Sequence, residues 1–145
     1  MISLVDVPAL TLLNPWAHLV AHHGKRVENR TWMPPELLDR FLIHAGKGWD
    51  NGPIGNEWRD STERITASAI VAVARLAHGC NSSRWSDTLR CGCGIWAMAG
   101  QCHWVLNEVI VLPEPVPCSG RQGLWRPSPD VAAAVAAQLN SAVAP

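Results

Sequence analysis

Tyrosine is missing from this chain of 145 residues, phenylalanine occurs once, and lysine appears only at positions 25 and 47. No apolar run approaches the roughly 20 residues that a membrane-spanning helix needs, so no transmembrane helix is expected. The first residues show no basic region followed by a long apolar stretch and a small-residue cleavage site, which argues against a secretory signal. Net charge is also lacking, at zero with histidine neutral. That argues against a protein that coats duplex DNA through a broad basic surface, while leaving room for a local basic cleft. Charged residues make up 17% of the chain and apolar ones 48%. This balance excludes disorder and suits a single domain over residues 1–145 with a proper core. The five cysteines are odd in number and not spread like a disulfide framework, so a reduced, cytoplasmic protein is expected.

What the chain does contain is tryptophan, eight copies, and arginine, ten copies. Tryptophan fills cores, and its flat faces also stack on nucleobases. Arginine makes bidentate contacts with phosphate or carboxylate, although a GC-rich genome produces the same bias.

Residues 9–13 form a short apolar run suited to a buried strand. In "NPWAHLVAHHGK", Asn14 is a good helix N-cap, Pro15 fits the first helical position and Gly24 the stop. Trp16, Leu19 and Val20 recur at helical spacing, with His18 and His22 toward the flank. "RVENRTW" alternates as a strand with Glu28, Arg30 and Trp32 on one face and Val27, Asn29 and Thr31 on the other, until Pro34 and Pro35 break it. "RFLIHAGKG" predicts a second strand running into a glycine-rich turn, with a short helix from about Asn56. "TASAIVAVARLAH" has the composition of a central strand, and "QCHWVLNEVIVL" returns antiparallel to it after a long polar loop. "PVPCSGRQGLW" reads as a turn and short edge strand. "SPDVAAAVAAQLNSAV" reads as a C-terminal helix with Ser128 or Asp130 near its cap. The expected fold is α+β: a small curled β-barrel, mostly antiparallel, flanked by short α-helices including the C-terminal one.

Candidate chemistry gathers in "HHGKRVENRTW", residues 22–32. Lys25 follows the helix-ending glycine, and Glu28 and Arg30 share a strand face. A carboxylate between two cations can orient one of them or accept a proton. Arg30 can receive a phosphate or a carbonyl oxygen. A salt-bridged strand surface would show the same pattern. His44 lies in an apolar strand, on the face opposite Phe41 and Ile43, where a hydrogen-bonded core role competes with catalysis. Lys47, between two glycines, suits phosphate contact without having P-loop spacing. Gln122 in "GRQGLW" offers an amide for a base edge, and a barrel-closing turn explains the same residues. Cys80, Cys91, Cys93 and Cys102 occupy one short window with His78 and His103 beside them. In a hairpin whose loop folds back, these residues supply four ligands for zinc; reduced, partly buried thiols are the alternative.

Together "LTLLNPWAHLVAHHGKRVENRTW", "FLIHAGKG", "AIVAVARL", "QCHWVLNEVIVL" and "GRQGLW" resemble the ASCH domain, a member of the PUA-like superfamily, from about Leu10 to Trp125. The most specific part is a G-x-K-x-x-E-x-R pattern, here "HGKRVENR". Lys25, Glu28 and Arg30 match its lysine, glutamate and arginine, and His23 stands at its first glycine. The resemblance implies a PUA-like β-barrel flanked by helices, a cleft lined by the motif residues, and binding of RNA or modified bases. Some proteins of the family it resembles are hydrolases, among them ribonucleases and an amidohydrolase acting on N4-acetylcytidine. The amidohydrolase pattern pairs its lysine with a threonine three residues later and a glutamate on a central strand. Here position 28 is Glu28, and "SAIVAVARLAH" holds no glutamate. The resemblance therefore implies binding ahead of deacetylation.

The expected function is a module that binds RNA, single-stranded nucleic acid or a modified nucleotide around Lys25, Glu28 and Arg30. Trp16, Trp32 or Trp104 would stack on the base, Lys25 and Arg30 would take oxygens, and Gln122 or Gln101 would read an edge. The competing expectation is a small hydrolase, a ribonuclease or modified-nucleoside amidohydrolase. Lys25 would then activate water or stabilise an oxyanion, Glu28 accept the proton, and His44 or His103 assist. A third is a docking surface ordered by zinc at the cysteine-rich loop. No cofactor besides zinc and no membrane partner is expected.

Overall fold

The computed structural model describes residues 4, 6–82 and 91–143. Its elements are β1 (Ala9–Asn14), α1 (Trp16–His22), β2 (Val27–Arg30), β3 (Arg40–Trp49), α2 (Pro53–Arg59), β4 (Ala69–Asn81), β5 (Cys102–Pro117), β6 (Leu124–Trp125) and α3 (Pro129–Val143). The strands form one sheet in the order β2-β5-β4-β3-β1-β6, antiparallel except where β1 runs parallel to β3. The α+β class, the mostly antiparallel sheet and the C-terminal helix match the sequence expectation. Residues 83–90 of the expected polar loop lie outside the described residues. Among the described residues, no helix is long and apolar enough to cross a membrane.

The expected closed barrel does not form. Closure needs a ladder between every pair of neighbouring strands, and β2 and β6 stand at opposite ends of the sheet. They are also short, with four and two residues, and Pro34 and Pro35 follow β2 closely. A side chain crosses the seam instead: Arg30 Nη2 donates to the Thr11 carbonyl of β1 at 2.8 Å.

Alternation along the strands feeds two cores. On one face Leu10, Leu12, Phe41, Ile43 and Trp104 pack with Ala17 and Val20 of α1. On the other, Ala9, Leu42, Ile70, Val73 and Trp125 pack with Val135 and Leu139 of α3. Covered on both sides, β3 and the first half of β4 read as continuous apolar runs. Val131, Val135 and Leu139 lie on one stripe of α3. Ser128 begins that helix, its hydroxyl accepting the Val131 N–H at 3.3 Å, with Pro129 in the first helical position.

Local expectations are corrected at three places. Asn14 does not cap α1; it ends β1 and its buried Nδ2 donates to the Gly46 carbonyl at 2.9 Å, while Pro15 takes the cap position. Helix α2 begins at Pro53, which suits a first helical position, rather than near Asn56. The segment Gly46, Lys47, Gly48 is no turn, since β3 runs through it. A Cβ at Gly46 would stand 3.0 Å from Thr11 Cγ2 and one at Gly48 2.8 Å from Leu13 Cδ2, so these glycines admit β1. The helix stop at Gly24 is found, with φ of 71° and the His23 and Lys25 amides both returning to the Leu19 carbonyl.

Candidate functional site

The turn at Gly24 and the pairing of β2 with β5 bring Lys25, Glu28 and Arg30 together. Glu28 Oε1 accepts from Lys25 Nζ at 3.2 Å, and Oε2 accepts from Arg30 Nε at 3.0 Å. Lys25 Nζ also donates to the Val27 carbonyl and lies 5.5 Å from the centroid of the Trp16 ring, within cation–π range. Lys25 is 3% exposed and Glu28 5%, so this is a buried ion-pair network rather than a solvated surface ladder. Arg26 is occupied elsewhere: Nη1 donates to the Val20 carbonyl at 2.9 Å and closes the C-terminal end of α1.

Two lobes of one cleft meet at Arg30, Thr11 and Leu13. The first, of about 770 Å³, occupies the seam between β2 and β6, lined by Arg30 and Trp32 on one side and segment 119–123 on the other. Its charged lining residues are Arg30, Lys47 and Arg121; among the described residues no carboxylate lines it. The second, of about 530 Å³, surrounds the ion-pair network with Trp16, Leu13, Ile54, Ile95, Trp96 and Met98, with Asp50 nearby. One lobe is cationic and the other apolar and aromatic. Both have the size of small-molecule sites.

His44 lines the cationic lobe, with both ring nitrogens engaged. Nε2 lies 2.8 Å from the Cys118 carbonyl, which can only accept, so Nε2 carries the proton. Nδ1 then accepts from the Thr11 hydroxyl at 3.1 Å, and that oxygen accepts from Trp125 Nε1 at 3.0 Å. A Cβ at Gly120 would stand 2.5 Å from Thr11 Oγ1 and 2.6 Å from His44 Cε1, so only glycine lets segment 119–123 lie against this relay.

Burial holds the His44 pKa below the ordinary imidazole value, against a raising effect from the Cys118 carbonyl. On acidification the unfolded chain takes up this proton before the folded one. The contribution of neutral His44 is therefore complete above about pH 6.5 and is lost as pH falls through the lowered folded value. His22, lowered by burial and by His18 and His23, adds a decline of the same sign. Urea melts in a His22→Gln background should lose stability as pH falls below about 6.5, and His44→Gln should flatten that loss. An unchanged slope in the double variant would remove His44 as its cause.

Of the residues expected at a site, Trp16, Lys25, Glu28, Arg30, Trp32, His44, Lys47 and Gln122 line the cleft. Trp104 and Gln101 do not. Trp104 is fully buried, its Nε1 donating to the Trp32 carbonyl at 3.0 Å, and it has no free face for a base. Gln101 lies just before β5, where its carbonyl accepts from Ser82. Sequence reasoning missed Arg121, Asp50 and Trp96 as lining residues. Arg121 was within reach, because it adjoins Gln122 in the same glycine-bracketed turn; Trp96 comes from a loop without periodicity. His18 and His23 each place Nε2 2.9 Å from one Glu63 oxygen, away from the cleft.

The cysteine cluster forms with one substitution. Cys80, Cys91, Cys93 and His103 bring four ligand atoms within 4.8 Å of one another and could hold a metal ion. Cys102 is excluded because neighbours on a strand face opposite ways. In the β4–β5 register Cys80 opposes His103, whereas Cys102 opposes Asn81 and its Sγ lies 3.8 Å from Asn81 Oδ1. His78 opposes Val105 and is not part of the cluster. Burial raises the Cys80 thiol and pushes Cys93 up to about 12, while a hydrogen bond from the Cys93 backbone lowers Cys91. No protein-family model and no curated protein matches the chain.

Proposed function

We propose that this protein binds a nucleotide or modified base within RNA or single-stranded nucleic acid, phosphate in the cationic lobe and base in the aromatic one. The observation that carries this reading is the junction of the two lobes at Arg30, which places a guanidinium between a charged chamber and an apolar one. Arg30, Lys47 and Arg121 suit phosphate oxygens, and Trp16 and Trp96 suit base stacking. The zero net charge fits one or two nucleotides better than a long tract. The resemblance to ASCH domains supports the same reading, since Lys25, Glu28 and Arg30 all line the cleft. Hydrolysis is the weaker reading. Glu28 has both oxygens on cations and His44 both nitrogens in hydrogen bonds, so neither is poised to take a proton from water. Zn2+ is the metal we assign to Cys80, Cys91, Cys93 and His103, and the thiols suit a reducing, cytoplasmic setting.

Titrating tryptophan fluorescence with nucleoside monophosphates, modified nucleosides and short RNA and DNA oligomers tests the proposal. Saturable quenching is expected for at least one of them. Arg30→Ala should weaken it by about 10–100-fold, the effect of losing a charge-assisted hydrogen bond to the ligand. A folded protein that stays silent across the panel would overturn the reading.

A further inference from the structure

We infer that a zinc ion at Cys80, Cys91, Cys93 and His103 holds segment 94–98 in place as the outer wall of the aromatic lobe, so that metal occupancy sets the shape of the cleft. Its functional meaning rests on the binding reading above; the metal site and the wall do not.

The four ligand atoms lie within 4.8 Å of one another, close enough to converge on one ion. Zinc with Zn–S of about 2.3 Å and Zn–N of about 2.0 Å sets ligand-to-ligand edges near 3.5–3.8 Å, and Cys91 Sγ lies 3.6 Å from His103 Nδ1. The tautomer of His103 is fixed by its other nitrogen. Nε2 lies 2.8 Å from the Met98 carbonyl and 3.1 Å from Ser82 Oγ, whose own proton goes to the Gln101 carbonyl at 2.5 Å. Nε2 is therefore the donor, and the Nδ1 lone pair faces the cysteines. Histidine ligands of zinc are oriented in this way, by donating the second ring N–H to a backbone carbonyl.

The same residues grip the wall. Asn29 of β2 and Cys80 of β4 both oppose His103 of β5, so the three form one row across the sheet. The Asn29 amide clasps the loop, Nδ2 donating to the Trp96 carbonyl and Oδ1 accepting the Met98 N–H, each at 2.9 Å. His103 adds the bond to Met98. Glycines with positive φ, Gly92 and Gly94, turn the chain on either side of Cys93. Packing alone gives the wall little support, because Ile95 is 94% exposed and Met98 58%. The metal ligands at 91 and 93 are what anchor its leading end.

The full-length protein provides the test. Metal analysis after purification should find zinc at one ion per chain. Cobalt reconstitution should give the ligand-field bands of a tetrahedral site and a thiolate-to-cobalt charge-transfer band. Cys93→Ser should weaken that band by about a third or more, one of three thiolates being lost, and Cys118→Ser, outside the cluster, should keep it. On chelating the wild-type protein, amide exchange in a peptide spanning 94–98 should accelerate by about tenfold or more, with peptides from the middle of β4 unchanged. A folded protein that takes up neither zinc nor cobalt overturns the site. Metal uptake without any change at 94–98 overturns the wall. Chelation of the wild type keeps the test decisive if Cys93→Ser does not fold. A silent nucleotide panel beside an intact cobalt spectrum would count against the binding reading and not against this one.

Discussion

Glu28→Ala is expected to destabilise the protein by about 3–5 kcal/mol, the cost of breaking a buried ion pair from one side. Removing the carboxylate leaves the Lys25 ammonium, 3% exposed, with the Val27 carbonyl and the Trp16 ring as its remaining partners. It also frees Arg30 Nε, so the guanidinium bridging the seam keeps only its bond to Thr11. Lys25→Met should cost less, because Glu28 would still hold Arg30 at 3.0 Å and the methionine would fill the apolar stem's volume. Combining Lys25→Met with Glu28→Gln should recover part of the Glu28→Ala loss, since no charge is then left unpaired but that of Arg30, which is partly exposed. Urea denaturation of the three variants reads this directly. A Glu28→Ala loss under about 1 kcal/mol would mean that the network behaves as a surface salt bridge.

The second large effect is expected at Trp104. Trp104→Ala should cost about 3–5 kcal/mol, as for other large core truncations. The ring meets Trp32 edge-to-face at 4.8 Å and Phe41 at 5.7 Å, and its indole N–H satisfies the Trp32 carbonyl. Trp104→Phe keeps most of the apolar area and loses the hydrogen bond, for about 1–2 kcal/mol. Because Trp32 lines the cationic lobe, the alanine variant should also weaken quenching by any nucleotide that binds there. Thermal melts with the binding titration give both numbers. A melt unchanged in Trp104→Ala would remove the residue from the core.

The contrast between Trp104 and Trp32 shows where sequence patterning stops. One stands near the start of a strand and the other just past the end of one, and nothing local tells which is covered. That depends on β5 lying between β2 and β4, whereas Trp32 follows the end of edge strand β2. The apolar run at the start of β4, the C-terminal helix with Ser128 near its cap and the stop at Gly24 were all legible, because each follows from composition or from one backbone requirement. So was the meeting of Glu28 with Arg30, two residues apart on a strand. The ligand set of the cysteine cluster was only half legible. Strand parity separates Cys102 from His103, but which of them faces Cys80 depends on irregularities in β4 near Arg75, Leu76 and His78 that no pattern announces. Barrel closure failed for a related reason: the lengths of β2 and β6 are set by prolines and glycines around them, and alternation carries no information about which edges will meet.

Because the sheet is open, β2 and β6 each hang from a single neighbour, by four and two residue pairs, while β4 is laddered on both sides. Local opening therefore begins at the two strands that border the cleft, and the centre of the sheet yields only with global unfolding. Arg30 is the side chain that ties β2 to β1 across the gap, while Trp125 keeps β6 packed on the second core. The edges that border the cleft are thus the least supported part of the sheet, and its centre the most.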